Sequence, residues 1–131
     1  MSAKVKKQRL YWLSAQTTAA LQERASLLTE KGYEVSFYRG VNELYASLER
    51  RRAGTIIVSD DFGDKETEEI IRSLMSMPEI EGARMVMVRY GRSEVINTLA
   101  ACANFRDIIP AELEAKQWIS CLLYTSPSPR D

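Results

Sequence analysis

The sequence contains no histidine and only two cysteines among its 131 residues. The lack of histidine excludes the commonest general base, the histidine donor of phosphorelays and the commonest nitrogen ligand of zinc. Cys102 and Cys121 form neither a Cys-x-x-Cys pair nor a disulfide framework. The phosphate-cradling patterns GxGxxG and GxxxxGK are absent as well. Dinucleotide-binding and P-loop chemistry therefore have no basis in this chain.

Neither sign of charge is in excess, because 18 Lys and Arg residues balance 18 Asp and Glu residues. Without a net basic field, we expect no direct nucleic-acid partner and no membrane partner. No apolar run approaches the length of a transmembrane helix, and the basic start at residues 4–9 leads into an apolar run too short for a signal peptide. We expect a cytoplasmic protein with a single domain.

One continuous apolar run, residues 54–59, ends abruptly in the carboxylates Asp60 and Asp61. Such a run, rich in β-branched residues, is typical of a strand buried on both faces at the centre of a parallel sheet. Functional groups of open α/β sheets lie at the carboxyl ends of the strands. Asp60 and Asp61 are therefore the first candidate site residues.

Strand-like and helix-like patterns alternate along the whole chain. This order predicts parallel strands joined by right-handed helical crossovers, in a doubly wound α/β sandwich of three layers. We predict strands at residues 10–13, 34–38, 54–59, 84–89 and 105–109. The expected helix caps are Thr17 or Thr18, Asn42, Asp64 and Ser93, and the last helix should start near Ala111.

The last eleven residues, 121–131, resemble the in-frame translation of a common transposase-based sequencing adapter. Composition alone also fits a disordered Ser/Pro tail from Thr125 onwards. We interpret the segment as non-native and expect the natural protein to continue past Ser120, so that the last helix is truncated. The expected organisation is a flexible N-terminus at residues 1–8, a domain at 9–120 and this foreign tail.

The aspartate after the third strand and the proline after the fifth strand make the layout similar to the receiver domain of bacterial response regulators. The resemblance implies a flavodoxin-like sheet of order 2-1-3-4-5 and places Asp60 at the phosphoacceptor position. The other positions depart from the family pattern. Ser14 and Ala15 replace the acidic pair that holds Mg²⁺, Arg89 replaces the hydroxyl residue, and Ile109 replaces the lysine.

These departures suggest a degenerate receiver, or pseudo-receiver. With Asp60 and Asp61 as the only nearby carboxylates, Mg²⁺ would bind weakly, so we expect no metal site and no cofactor. Arg89, at the end of the neighbouring strand, could pair with Asp60 and substitute for both the metal and the lysine. The competing interpretation is that Asp60 and Arg89 are solvent-facing remnants.

Other candidates have simpler explanations. Asp64 is better interpreted as a helix cap than as a third metal ligand. The basic run at residues 49–52 fits a solvated helix end better than an anion site. Tyr90 belongs to an ordinary loop, and Cys102 is expected to be a small buried hydrophobe.

Three functions stay open. The first is a non-enzymatic, phosphorylation-independent signalling module that regulates its own missing C-terminal output domain. It would act through protein contacts, with a possible homodimer through the fourth helix, fifth strand and fifth helix, where Ile96, Leu99, Phe105, Leu113 and Trp118 lie. The second is a genuine receiver phosphorylated on Asp60 with Mg²⁺. The third is a small-ligand or nucleotide domain that binds phosphate at Ser14, Thr17 and Thr18.

Overall fold

The computed structural model describes residues 8–48, 54–80, 82–91, 93–103 and 105–124. The expectations for residues 1–7, for the basic run at 49–52 and for the tail from Thr125 lie outside the described residues. The five strands are β1 (Gln8–Leu13), β2 (Tyr33–Tyr38), β3 (Thr55–Ser59), β4 (Arg84–Arg89) and β5 (Phe105–Pro110). The helices are α1 (Ala19–Glu30), α2 (Val41–Leu48), α3 (Asp64–Met75), α4 (Glu94–Cys102) and α5 (Ala115–Tyr124), with a short 3₁₀ turn at Pro78–Ile80.

All five strands are parallel and form one sheet in the order β2-β1-β3-β4-β5. The predicted fold, a doubly wound flavodoxin-like sandwich, is therefore confirmed. β3 lies at the centre, and every one of its residues is buried. The register pairs Ser59 with Val88, so β3 and β4 end side by side. This pairing brings Asp60 and Arg89 to the same edge of the sheet.

The two faces of the sheet form two separate cores. Leucine and isoleucine side chains of α2, α3 and α4 pack on one face, and those of α1 and α5 pack on the other. On the second face, Trp12 stacks between Phe37 and Trp118, with ring centroids 5.2 Å from each neighbour. The indole nitrogen of Trp12 donates a buried hydrogen bond of 3.0 Å to Ser59 Oγ.

Two of the predicted helix caps are correct and two are wrong. Thr18 and Ser93 accept hydrogen bonds from the amides of Leu21 and Ile96. Asn42, however, lies inside α2, which begins at Val41 because the carbonyl of Gly40 accepts the first helical bond from Leu44. Asp64 is the first residue of α3, and Gly63, with φ of +98°, occupies the cap. At α3 the positive φ of Gly63, which favours glycine, turns the chain. At α2 the backbone carbonyl of Gly40 takes the capping role without a positive φ.

The start predicted for the last helix is also wrong. Residues after Pro110 form a turn, and α5 begins at Ala115, with the carbonyl of Glu114 accepting from Trp118 N at 2.8 Å. Helix α5 then continues past Ser120 to Tyr124. Leu122 lies in the core at 1% exposure. The first residues of the adapter-like segment thus belong to the helix.

Cys102 is exposed, which corrects the expectation that it is a buried hydrophobe. Its position at the last residue of α4 turns its side chain away from the sheet, and Ala100 takes the buried place. None of the helices described for this chain has both the length and the apolar character needed to cross a bilayer.

Candidate functional site

The candidate site is built around the carboxylate of Asp60, directly after β3. Its backbone amide donates to the carbonyl of Val88 at 3.0 Å, which extends the pairing of β3 with β4 by one residue. Its side chain is 1% exposed. Oδ1 accepts a short hydrogen bond from Tyr90 N, and Oδ2 accepts one of 3.2 Å from Gly91 N. The loop after β4 therefore covers this carboxylate with two backbone donors.

Arg89, the last residue of β4, supplies the countercharge. Its Nε lies 2.8 Å from Asp60 Oδ2, and the side chain is 7% exposed. The Nε hydrogen does not point at that oxygen, so the contact is an ion pair, and within the described residues neither Nε nor Nη2 has a hydrogen-bond partner. Nη1 donates to Asn97 Oδ1 at 2.7 Å and to the carbonyl of Ser93 at 3.2 Å.

Burial decides how this pair behaves. Two charges removed from water lose several kcal/mol of solvation each, and only close countercharges and hydrogen bonds offset that loss. Asp60 has the guanidinium and two amides, while Arg89 has the carboxylate, a carbonyl and the amide oxygen of Asn97. Removing either charge would leave the other buried without its counterion.

Asp61 points to a different group of residues, at the end of β1. Its Oδ1 accepts from Ala15 N at 3.1 Å, and its Oδ2 lies 3.0 Å from Ser14 Oγ. The hydroxyl of Ser14 also lies 2.7 Å from the carbonyl of Gln16. Ser14 and Ala15, which the resemblance predicts at the positions of an acidic pair, thus bind a carboxylate.

These residues do not fit a magnesium ion. Mg²⁺ needs several oxygen ligands in octahedral geometry, but Asp60 is engaged by Arg89 and Asp61 by Ser14 and Ala15. Asp64 is exposed in the first turn of α3, away from both. Among the described residues no group of three acidic, Cys or His side chains has the geometry of a metal site.

The same contacts weaken the phosphate-loop alternative. The amide of Ala15 is already taken by Asp61, and the hydroxyl of Thr18 caps α1. A phosphate placed there would also face the negative charge of Asp61. Two of the groups expected to bind an anion in the loop between β1 and α1 are therefore already engaged.

Ile109, near the end of β5, and Tyr90, directly after β4, lie at the same edge of the sheet as Asp60. Ile109 is buried in the core beside α5, at 3% exposure. Tyr90 is half exposed, and burial raises the pKa of its phenol above the ordinary value of 10.0. The charge of Asp61 raises this pKa further, and the charge of Asp60 does so to a smaller extent, while Arg24 lowers it.

Sequence reasoning missed two functional contacts. Asn97 binds Arg89, and its position four residues after the Ser93 cap places both on the same side of α4. That spacing was the sequence signal that could have indicated this contact.

Arg24 is 8% exposed, lies over the ring of Trp118 at 5.8 Å and donates to the carbonyl of Leu113 at 2.6 Å. Arg24 is the one cation of α1, and nothing in the sequence pattern predicts that it is buried.

Solved structures of similar fold include many receivers. A response regulator from Thermotoga maritima superposes with a TM-score of 0.72 at 14% identity, covering 89% of this chain and 95% of its own. A CheY-like receiver domain protein from Methanospirillum hungatei gives 0.70 at 16% identity, covering 91% and 93%. A putative pilus assembly-related protein from Burkholderia pseudomallei gives 0.69 at 14% identity, covering both chains fully.

No protein-family model and no curated protein sequence matches this chain. The similarity to known proteins is therefore one of fold, at sequence identities of 12–16% among the structures compared. The chain has the receiver (CheY-like) fold over nearly its whole length.

Proposed function

We propose that this chain is a receiver-like signalling module that works through protein–protein or interdomain contacts and does not depend on phosphorylation of Asp60. One observation carries the proposal. The carboxylate of Asp60 is 1% exposed and is held by Arg89 and two backbone amides. Both oxygens that could attack a phosphodonor are engaged, and no enzymatic activity is proposed.

The charges around Asp60 support the same conclusion. Transfer of a phosphoryl group to a carboxylate brings anions together, so it depends on nearby cations that neutralise the developing charge. Among the residues that the structure describes, the cation paired with Asp60 is Arg89, and it already neutralises Asp60 itself. Where a receiver has a lysine, this chain has the buried apolar side chain of Ile109. We therefore propose that the negative charge of Asp60 is permanently neutralised by Arg89.

We propose that the partner face comprises α4, β5 and the loop after β4. Of the residues first considered for this face, Ile96, Phe105 and Trp118 are buried and belong to the core. The large apolar side chains that face solvent there are instead Val95, Ile108 and Tyr90, which are 57%, 43% and 49% exposed. This surface is offered either to a second copy of the chain or to an output domain.

Incubation with a small acyl phosphate and Mg²⁺, followed by intact-protein mass spectrometry, tests the function. We expect no added phosphoryl group on the wild-type protein. The matched positive control is a variant that restores the receiver pattern, with Ser14→Asp, Ala15→Asp, Arg89→Thr and Ile109→Lys. This variant should gain one phosphoryl group. A further Asp60→Asn change should abolish that gain. A phosphoryl group on the wild-type protein that Asp60→Asn abolishes would establish the alternative, a genuine phosphoacceptor.

Sedimentation equilibrium tests the proposed partner face separately. If a second copy binds there, a Val95→Glu, Ile108→Glu variant should be monomeric at concentrations where the wild-type protein dimerises. The control is Gln22→Glu, on an exposed position of α1 outside this face. If the wild-type protein stays monomeric, a second copy does not bind this face. An output domain is then the remaining proposed partner.

A further inference from the structure

The sheet has two edges, strand β2 (Tyr33–Tyr38) and strand β5, and they are built differently. β5 has features that protect an edge, because its pairing with β4 shifts between Met85 and Val86 and the strand ends in Pro110. β2 pairs with β1 along all six of its residues and contains no proline. Within the part of the chain that the structure describes, no strand lies on the other side of β2. β2 is therefore the open edge.

The backbone of β2 presents a regular set of donors and acceptors to this open side. The carbonyl of Tyr38 accepts a hydrogen bond of 3.0 Å from Ser14 N, so it points towards β1. Backbone groups of successive strand residues point to opposite sides, so the amides and carbonyls of Tyr33, Val35 and Phe37 point away from β1. A strand added at this edge therefore meets amides and carbonyls at every second residue.

The side chains of the same three residues are apolar and lie half-buried on the face of the sheet that α1 and α5 cover. Beside them, a groove of about 470 Å³ lies between β2 and α1. The residues of α1 that line this groove carry no charge: Gln22, Ala25, Ser26 and Thr29. An added strand therefore finds space for its apolar side chains on this face, next to an uncharged surface of α1.

We infer that β2 of a second copy of this chain binds along this open edge, antiparallel to β2 and about a twofold axis at Val35. In that register Val35 lies opposite Val35 of the other copy, and Tyr33 lies opposite Phe37. These are the residues whose backbone groups point outward, so each pair exchanges two hydrogen bonds. Addition of a strand to an exposed sheet edge is a recurring mode of recognition, and a twofold contact covers the open edges of both copies at once.

The charges along the edge favour a second copy as the occupant. A twofold contact places each surface against itself, so a surface with an excess of one charge would repel its partner. Glu34 is the one charged residue of β2, and it already pairs with Arg9 at 3.2 Å. In the inferred register Glu34 lies opposite Ser36 instead of its own counterpart, and the two α1 helices present their uncharged surfaces to each other. The inference does not rest on the proposed function, and it leaves the partner face to an output domain.

Sedimentation equilibrium of the full chain, with charged variants at Ser36, tests this register. Ser36→Glu places a carboxylate opposite Glu34 of the other copy, twice in each dimer, and should raise the dissociation constant of the dimer by about tenfold. Ser36→Lys, of similar size at the same position, forms pairs of opposite charge and should lower that constant. Adding Glu34→Lys to Ser36→Glu should restore dimerisation. Circular dichroism of each variant verifies that it is folded.

Two variants from the partner-face test separate this dimer from one formed through the partner face. The Val95→Glu, Ile108→Glu variant should dimerise like the wild-type protein, while Gln22→Glu, which places a carboxylate in the groove of each copy, should weaken the dimer. A dimer through the partner face predicts the opposite result for both variants. That result, or a Ser36→Glu variant that dimerises as well as Ser36→Lys, would overturn the inference.

Amide hydrogen exchange measured by NMR provides a second measurement. As the protein concentration rises, exchange should slow at the outward-facing amides of Tyr33, Val35 and Phe37, while exchange at Ser36, whose amide points to β1, should stay the same. A wild-type protein that stays monomeric, without protection of these amides, would also overturn the inference. The proposed function stands or falls separately, by the phosphorylation test.

Discussion

At the scale of single residues, a buried ion pair such as Asp60–Arg89 is costly to assemble and costlier to break. Pairs of this kind contribute little net stability compared with apolar residues of the same shape, because both charges lose their hydration. Their value lies in specificity, since each charge accepts only a few arrangements of its neighbours. In this chain the pair fixes which residues of the β4–α4 loop lie over Asp60.

We expect Arg89→Ala to lower the free energy of unfolding by about 3 kcal/mol, because a carboxylate stays buried without its cation. Combining it with Asp60→Asn should cost less than the sum of the two single changes. Urea unfolding of the four proteins in this cycle measures the coupling. The control is Arg72→Ala, whose exposed pair with Glu68 at 4.0 Å should be worth less than about 0.5 kcal/mol. Equal losses of unfolding free energy in Arg89→Ala and Arg72→Ala would mean that the buried pair contributes no more to stability than the exposed one.

The tyrosine beside the site gives a prediction that depends on pH. Burial and the charge of Asp61 raise the pKa of Tyr90 in the folded state. The folded protein then holds a proton that the unfolded chain has lost above pH 10, so stability falls as pH rises through this range. Asp61→Asn should lower the pKa of Tyr90, read as phenolate absorbance with Tyr90→Phe as the blank. An unchanged pKa would mean that Asp61 does not act on Tyr90.

How far the site could be predicted differs from residue to residue. Asp60 and Arg89 could be placed together because both follow neighbouring strands of a parallel sheet. Their roles stay predictions. The contact of Asp61 with Ser14 and Ala15 depends on side-chain rotamers after β3, and the contact of Asn97 depends on the rotation of α4 about its axis. The spacing from Ser93 indicates only the side of α4 on which Asn97 lies, and no periodic pattern predicts the contact of Asp61.

At the scale of the elements, helix boundaries were harder to predict than helices. Asn42 and Asp64 are good capping residues, but the chain turns one or two residues earlier, at Gly40 and Gly63. A polar residue just inside a helix produces the same sequence pattern as a cap. Whether such a residue caps the helix or lies inside it depends on the tertiary position of the preceding loop. A single sequence does not reveal that position.

Helix α5 leads to a test of its final turn. Leu122 is 1% exposed and packs in the core that also contains Trp12 and Trp118. Leu122→Ala should therefore cost about 3 kcal/mol of unfolding free energy, as large-to-small changes in cores do. Gln117→Ala, on the exposed side of the same helix, should cost less than about 0.5 kcal/mol. A Leu122 variant as stable as the Gln117 variant would place the end of α5 outside the core.

At the scale of the whole molecule, the order of strands and helices was enough to predict a doubly wound parallel sheet, while the strand order 2-1-3-4-5 came from the resemblance to receivers. Alternating units with nearly continuous apolar strands leave few topologies, because parallel crossovers are almost always right-handed. The central position of β3 could be predicted as well, since a strand buried on both faces needs neighbours on either side. The exposed members of the α4–β5 surface required the structure.

The tail provides a test at this scale. Removing residues 125–131 should change the thermal midpoint by less than about 2 °C, because terminal segments outside a core contribute little. Differential scanning calorimetry of the shortened and full chains measures the change. A shortened chain that melts far lower would mean that the segment is part of the domain and would contradict its interpretation as a foreign tail.

The central claim is that Arg89 and the two loop amides keep Asp60 occupied. It is tested most directly by titrating the ¹⁵N-labelled protein with Mg²⁺ and beryllofluoride, a mimic of the phosphoryl group, while observing the amides of Tyr90 and Gly91. We predict that neither amide resonance moves in the wild-type protein and that both move in the variant with the restored family pattern. A saturable shift of these amides in the wild-type protein, abolished by Asp60→Asn, would contradict the account.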